Sequence, residues 1–168
     1  TPHLGASTEE AQVRVARDVC KQTADYLRHG KMPRAVNLPA NIDPDLGRYI
    51  SLAETLATFA MQIKDGALQR VEVTFKGEIA EKDTSGLRLA ILMGLLRPSF
   101  GTKVNMVNAE KRAADRNISI YESKSPDSKV YRNQIDLQLK GDDYWVQISG
   151  TLFEDDQLRI TKINHMDI

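Results

Sequence analysis

The stretch IDLQLKGDDYWVQISGTLFEDDQLRI, residues 135–160, decides the fold class. Ile135, Leu137 and Leu139 alternate with polar residues until the turn at Lys140-Gly141-Asp142. Tyr144, Val146, Ile148 and Leu152 mark the next strand, and Leu158 and Ile160 mark another after Glu154-Asp155-Asp156. A period of two, broken by glycine and aspartate, is the signature of half-buried strands. Loops this short join antiparallel neighbours, so a meander is expected. Ile118 and Ile120 mark its first strand. Farther upstream, Val71, Val73 and Phe75 alternate with Glu72, Thr74 and Lys76, and a short strand is expected over 104–107.

The period changes to 3.6 toward the N-terminus. Ser7 with Glu10 fits a capping box. Val13, Ala16, Cys20, Ala24 and Leu27 follow at helical spacing, widened by Val15, Val19 and Tyr26, and Gly30 suits the C′ position. Cys20 lies on this apolar stripe and is expected to be a buried structural thiol. Residues 32–45 carry Pro33, Pro39 and Pro44, and read as an extended connector and domain boundary. Asp43 and Pro44 then start a second helix, with Leu52, Leu56, Phe59 and Ile63 as its core stripe. A third, over 86–96, is apolar on nearly every face, which suits a core or an oligomer interface. Asp83-Thr84-Ser85 caps it and Arg97-Pro98 is expected to stop it. A small helix over 108–116 completes the set. Helices early and an antiparallel sheet late define an α+β domain, preceded by one long helix.

The composition narrows the function. The 168 residues, 41% hydrophobic and 27% charged, suit one compact domain rather than a disordered chain. Lysine plus arginine number 23 and aspartate plus glutamate 23, a balance that argues against nucleic acid or an anionic membrane as partner. A single cysteine excludes an internal disulfide, and no apolar run approaches the roughly 18 residues of a membrane span. The start at Thr1-Pro2-His3, without a signal peptide, suggests a cytoplasmic chain cut from something longer. Phosphate-binding, zinc-protease and serine-hydrolase motifs are absent, and the three histidines are not spaced for a metal.

His3 could be an idle terminal histidine. However, the string from Thr1 to Gln12 closely resembles the part of D-3-phosphoglycerate dehydrogenases that carries the catalytic histidine. Ala35-Val36-Asn37-Leu38-Pro39 is similar to the connector that leaves the catalytic part of the long-form enzymes. Gly77-Glu78-Ile79-Ala80, Gly94-Leu95-Leu96, Val107-Asn108-Ala109, Glu122-Ser123-Lys124-Ser125, Gly150-Thr151-Leu152 and residues 160–164 resemble the intervening, or allosteric substrate-binding, domain. The resemblance implies that 1–38 ends the catalytic domain and 39–168 forms the intervening domain. It further implies L-serine biosynthesis, with His3 as general acid/base in the intact enzyme. The NAD fold, the substrate arginine and the partner glutamate would lie upstream, and a serine-binding ACT domain downstream. The 168 residues alone are then expected to hold no cofactor and no metal, and to reduce no NAD.

For the intervening domain the resemblance implies a small anionic effector, phosphorylated or carboxylate, and a role in a homo-oligomer. Arg159, Lys162 and His165 fall where the family lines its anion site, although Asn164-His165 departs from the usual glycine after the asparagine. In a regular strand Arg159 and Lys162 point to opposite faces, so they converge only if a bulge or end twist intervenes. The same charges also suit a solvated edge strand that discourages aggregation. Lys111, Arg112 and Arg116 read as plain surface. A structural spacer, and the related module of iron–sulfur serine dehydratases, are the alternative readings.

Overall fold

The computed structural model describes residues 8–29, 44–153 and 156–168. The chain divides into two compact units, Thr1–Ala40 and Asn41–Ile168. His3, Ser7, Gly30, Asp43, the connector with the 38–39 boundary, and Glu154-Asp155 lie outside the described residues.

In the first unit, helix α1 covers Glu9–His29. Its N-cap is Thr8, whose Oγ1 accepts the Ala11 amide at 3.3 Å, while Glu9 and Glu10 sit where the helix dipole favours negative charge. The expectation of a buried Cys20 fails: the thiol is exposed, as are Val13, Val15, Val19 and Leu27. Within this unit no other described element covers the stripe.

The second unit begins with α2, Pro44–Ile63. Its buried stripe is Leu46, Tyr49, Leu52, Ala53, Leu56, Ala57 and Ala60. The stripe is rotated from the expected one, so Phe59 is half-buried and Ile63 exposed. Strand β1, Arg70–Gly77, follows, and then α3, Ser85–Phe100. Asp83 Oδ1 accepts the Ser85 amide at 3.0 Å ahead of α3. That helix has nine buried residues, lies against α2 and shares one hydrophobic cluster with the sheet, so its apolar faces are covered within the domain. It also runs through Pro98 instead of stopping there. Proline removes the amide that would bond the Gly94 carbonyl, and the Thr58 hydroxyl of α2, which donates chiefly to the Glu54 carbonyl at 2.9 Å, lies 3.4 Å from that carbonyl. A side chain at Gly94 would bring its Cβ to 2.4 Å from the Glu54 carbonyl, so glycine sets how closely α2 and α3 pack.

No strand forms over 104–107. Asn105 Oδ1 accepts the amides of Val107 and Asn108, closing an asparagine turn into the short helix α4, Ala109–Ala114. The sheet then adds β2 (Ser119–Ser125), β3 (Asn133–Lys140), β4 (Trp145–Leu152), β5 (Leu158–Ile163) and a two-residue β6 (Met166–Asp167) that sequence periodicity is too short to reveal. The strand order is β2-β1-β3-β4-β5-β6. All pairings are antiparallel except β1 with β2, which run parallel. This corrects the simple meander. β2 follows β1 through the α3–α4 crossover, which permits the parallel direction, while β3 takes the other edge of β1.

One sheet face is buried under helices. Val71, Val73 and Phe75 of β1, Ile135, Leu137 and Leu139 of β3, and Val146 and Ile148 of β4 join the helices in one core. The alternate residues form the opposite, open face. There Lys140 Nζ meets Glu72 Oε2 at 2.9 Å, Arg70 meets Glu72 at 2.8 Å and Lys76 meets Asp136 at 2.6 Å. The Lys140 hydrogen bond, helped by Arg70, holds the Glu72 carboxyl below its ordinary value.

Candidate functional site

Strands β4 and β5 pair irregularly. Leu152, Thr151 and Gly150 face Leu158, Arg159 and Ile160 in turn, but Ser149 faces Lys162, leaving Thr161 as an extra residue. This is a β-bulge. Partners across antiparallel strands share a face. Ser149 and Thr151 alternate with the inward-facing Ile148 and Gly150, so Arg159 and Lys162 both stand on the open face. The bulge thus supplies the condition under which the two cations converge. Their cross-strand partners are two residues apart, about 7 Å along the strand. Gly150 makes the local approach feasible: a Cβ there would come within 2.7 Å of Leu56 Cδ2 and 3.1 Å of the Arg159 carbonyl.

The three expected anion-binding side chains do not form one cluster. Arg159 is exposed; Nη1 donates to the Leu158 carbonyl at 3.0 Å, Nη2 donates to Gln157 Oε1, and the guanidinium lies 5.7 Å from the Phe153 ring centre. Lys162 Nζ is 3.7 Å from Asp167 Oδ1, a loose pair with a carboxylate that is 88% exposed. His165 lies beyond Asn164, whose left-handed backbone (φ 50°) turns β5 into β6. The Asn164 side chain accepts the Gln147 amide at 2.9 Å, and its own amide donates to the Gln147 carbonyl at 2.7 Å. The His165 ring packs edge-on against Trp145, 4.9 Å between centres. Trp145 begins β4, six residues or about 20 Å from Thr151, so His165 is remote from Arg159.

Lys162 instead lines a groove of about 380 Å³ on the open face, with Lys76, Gln134, Asp136, Ser149 and Thr161 among its walls. Ser149 is 0% exposed and Thr161 6%, and neither hydroxyl has a hydrogen-bond partner among the described residues. Asp136 is engaged on both oxygens, by Lys76 at 2.6 Å on one and by Gln134 Nε2 at 2.5 Å on the other. Lys76 and Asp136 could have been placed on this face from the alternation of β1 and β3. Lys162 could not, because in a regular strand it points away from Arg159 and only the bulge turns it to this face. The Arg112 and Arg116 guanidiniums lie 4.7 and 4.3 Å from the Phe100 ring centre, and Arg116 donates to Ser99 Oγ at 3.3 Å. These two cations are therefore engaged locally.

Among the described residues, no group of three or more His, Cys, Asp or Glu is placed to hold a metal ion. None of the described helices is long and apolar enough to cross a membrane. Gly77 (φ 83°) leads into the 3₁₀ turn Glu78–Glu81, and the Arg132 carbonyl would be only 2.0 Å from a Cβ at Gly77. Asn133 Oδ1 accepts the Ile79 amide at 3.0 Å and would stand 2.9 Å from the same Cβ.

Fold and site together define a two-layer α+β domain with helices on one sheet face and a charged groove on the other. Residues 45–164 match the D-3-phosphoglycerate dehydrogenase intervening domain, and the chain belongs to that family. It is 38% identical over 173 residues to a D-3-phosphoglycerate dehydrogenase of Synechocystis, which covers all of this chain and 31% of the relative. The enzyme of Methanocaldococcus jannaschii is 38% identical over 90% of this chain and 29% of its own length. For Bacillus subtilis the figures are 33%, 100% and 33%. The chain thus spans about a third of the length of the curated relatives it matches.

Proposed function

We propose that this chain is the regulatory and assembly part of a cytoplasmic, NAD-dependent D-3-phosphoglycerate dehydrogenase of L-serine biosynthesis, and that the open sheet face binds a small phosphorylated or carboxylate effector. One observation carries the effector reading. The bulge at Thr161 sets Lys162 on the same face as Arg159, and Lys162, only loosely paired, lines a groove there. Cations so placed suit charge-assisted bonds to an anion. In this reading His3 exchanges a proton with the substrate hydroxyl in the intact enzyme, because imidazole titrates near working pH. In the same reading NAD is held by the rest of that enzyme. The 168 residues alone therefore turn over no phosphoglycerate; NAD reduction by the pure chain overturns this assignment.

Thermal shift tests the effector. Phosphate, 3-phosphoglycerate or hydroxypyruvate phosphate at a hundred times its dissociation constant stabilises the chain by about 2.7 kcal/mol, a shift of several degrees. Changing Arg159 and Lys162 together to alanine abolishes the shift. No shift in the parent chain, or a shift surviving in the double variant, rejects the site.

A role in assembly is favoured by the exposed stripe of α1, with Val13, Val15, Val19 and Leu27 available to a second copy or a neighbouring domain. Light scattering that stays monomeric to high concentration counts against self-association.

A further inference from the structure

We propose that Ser149 and Thr161 form a hydroxyl-reading subsite in the open-face groove, so that the ligand is an anion carrying a hydroxyl group close to its charged end. The inference rests on the effector reading above and adds the part of the ligand that reading leaves undefined.

Four observations carry it. Both hydroxyls are buried within a charged groove and lack a partner, an arrangement that costs free energy unless something supplies the missing bonds. Lys162 reaches the groove beside Thr161 only through the bulge, and bulges recur where a strand re-aims a side chain beside a binding site. The volume, about 380 Å³, lies within the range of small-molecule sites. The charges decide the polarity of the occupant. Asp136 already neutralises Lys76 and takes Gln134, whereas Lys162 holds Asp167 at only 3.7 Å. Lys162 is thus the groove cation with charge to offer, and it stands directly across the strand pair from Ser149.

A serine or threonine hydroxyl both donates and accepts, as a ligand hydroxyl does. With its charge on Lys162, a hydroxylated anion satisfies both groups. An alkyl anion of the same length leaves them buried and unpaired, and sites built to bond a hydroxyl reject such analogues strongly.

Calorimetric titration of the chain with glycerol 3-phosphate and with propyl phosphate tests this, the two probes differing only in hydroxyl groups. Glycerol 3-phosphate binds roughly tenfold more tightly or better. Ser149→Ala with Thr161→Val brings it down to the level of propyl phosphate, with the fold verified by circular dichroism; the single variants serve if the double variant misfolds. Equal affinity for the two probes in the parent chain, or a preference that survives in the variants, overturns the subsite and leaves the anion reading standing. Those results would mean that water alone satisfies the hydroxyls. If neither probe binds, the anion reading fails and the subsite with it.

Discussion

The two faces of the sheet use the same strands for opposite purposes. Toward the helices, Val73, Phe75, Leu137 and Ile148 are at most 1% exposed and join a single cluster. Toward the other side, the same strands present Thr74, Lys76, Asp136 and Ser149, tied by ion pairs and, at Ser149, by no partner. The inner face holds the fold, because apolar burial contributes about 25 cal/mol per Å², whereas ion pairs at a protein surface contribute about 1 kcal/mol or less. The outer face can therefore carry unsatisfied groups without unfolding the domain. The candidate site lies on the face that adds little to stability.

The sharpest way to break this contrast is to compare one residue from each face of β1. Phe75→Ala, at 0% exposure, is expected to cost about 3–5 kcal/mol in chemical denaturation, while Lys76→Ala beside it changes stability by no more than about 0.5 kcal/mol. Similar losses at the two positions would refute the division. Next comes Gly94→Ala, where the new Cβ lies 2.4 Å from a backbone carbonyl of α2 and 2.8 Å from the Ala57 Cβ. The helices must separate, at a cost of about 1–3 kcal/mol, and a neutral result would show that α2–α3 packing is looser than described.

The open face should respond with smaller changes and some of opposite sign. Ser149→Ala with Thr161→Val, measured without ligand, is expected to leave the melting temperature unchanged or to raise it by up to about 1 kcal/mol equivalent, since each change removes a buried unpaired hydroxyl. A marked loss would reveal structural water holding those groups. The smallest effect is electrostatic. Glu72 is held below its ordinary 4.5, chiefly by the Lys140 hydrogen bond, so its contribution is present above that value and is lost as pH falls through the lowered one. Glu72→Gln should therefore cost a few tenths of a kcal/mol at pH 7, and the difference from the parent should vanish in acid and shrink in high salt. A difference that persisted below the lowered value would assign it to packing.

Much of the inner face was legible in residue order. Val71, Val73 and Phe75, and Ile135, Leu137 and Leu139, announce their strands because one solvent-shielded face demands a period of two. The all-apolar helix α3 announced either a core or an interface position, and it lies in the core. The stripe of α2 was harder to place, since Tyr49 and three alanines fill it where Phe59 and Ile63 were expected. Small residues are chosen there for close approach, which hydrophobicity does not report. Pro98 misled for a related reason: the Gly94 carbonyl that its missing amide leaves open lies 3.4 Å from the Thr58 hydroxyl on another helix.

Residue order alone thus determined the α+β class, the strands of the core, the family and the cations on β5. Each depends on local periodicity or on a string of side chains, and both survive in one dimension. The direction of β2, the bulge at Thr161, the remoteness of His165 from Arg159 and the groove with its two unpartnered hydroxyls were decided by the tertiary structure. These depend on which strand edges meet and in what register. A register shift of one residue turns a side chain to the other face while leaving the sequence pattern untouched.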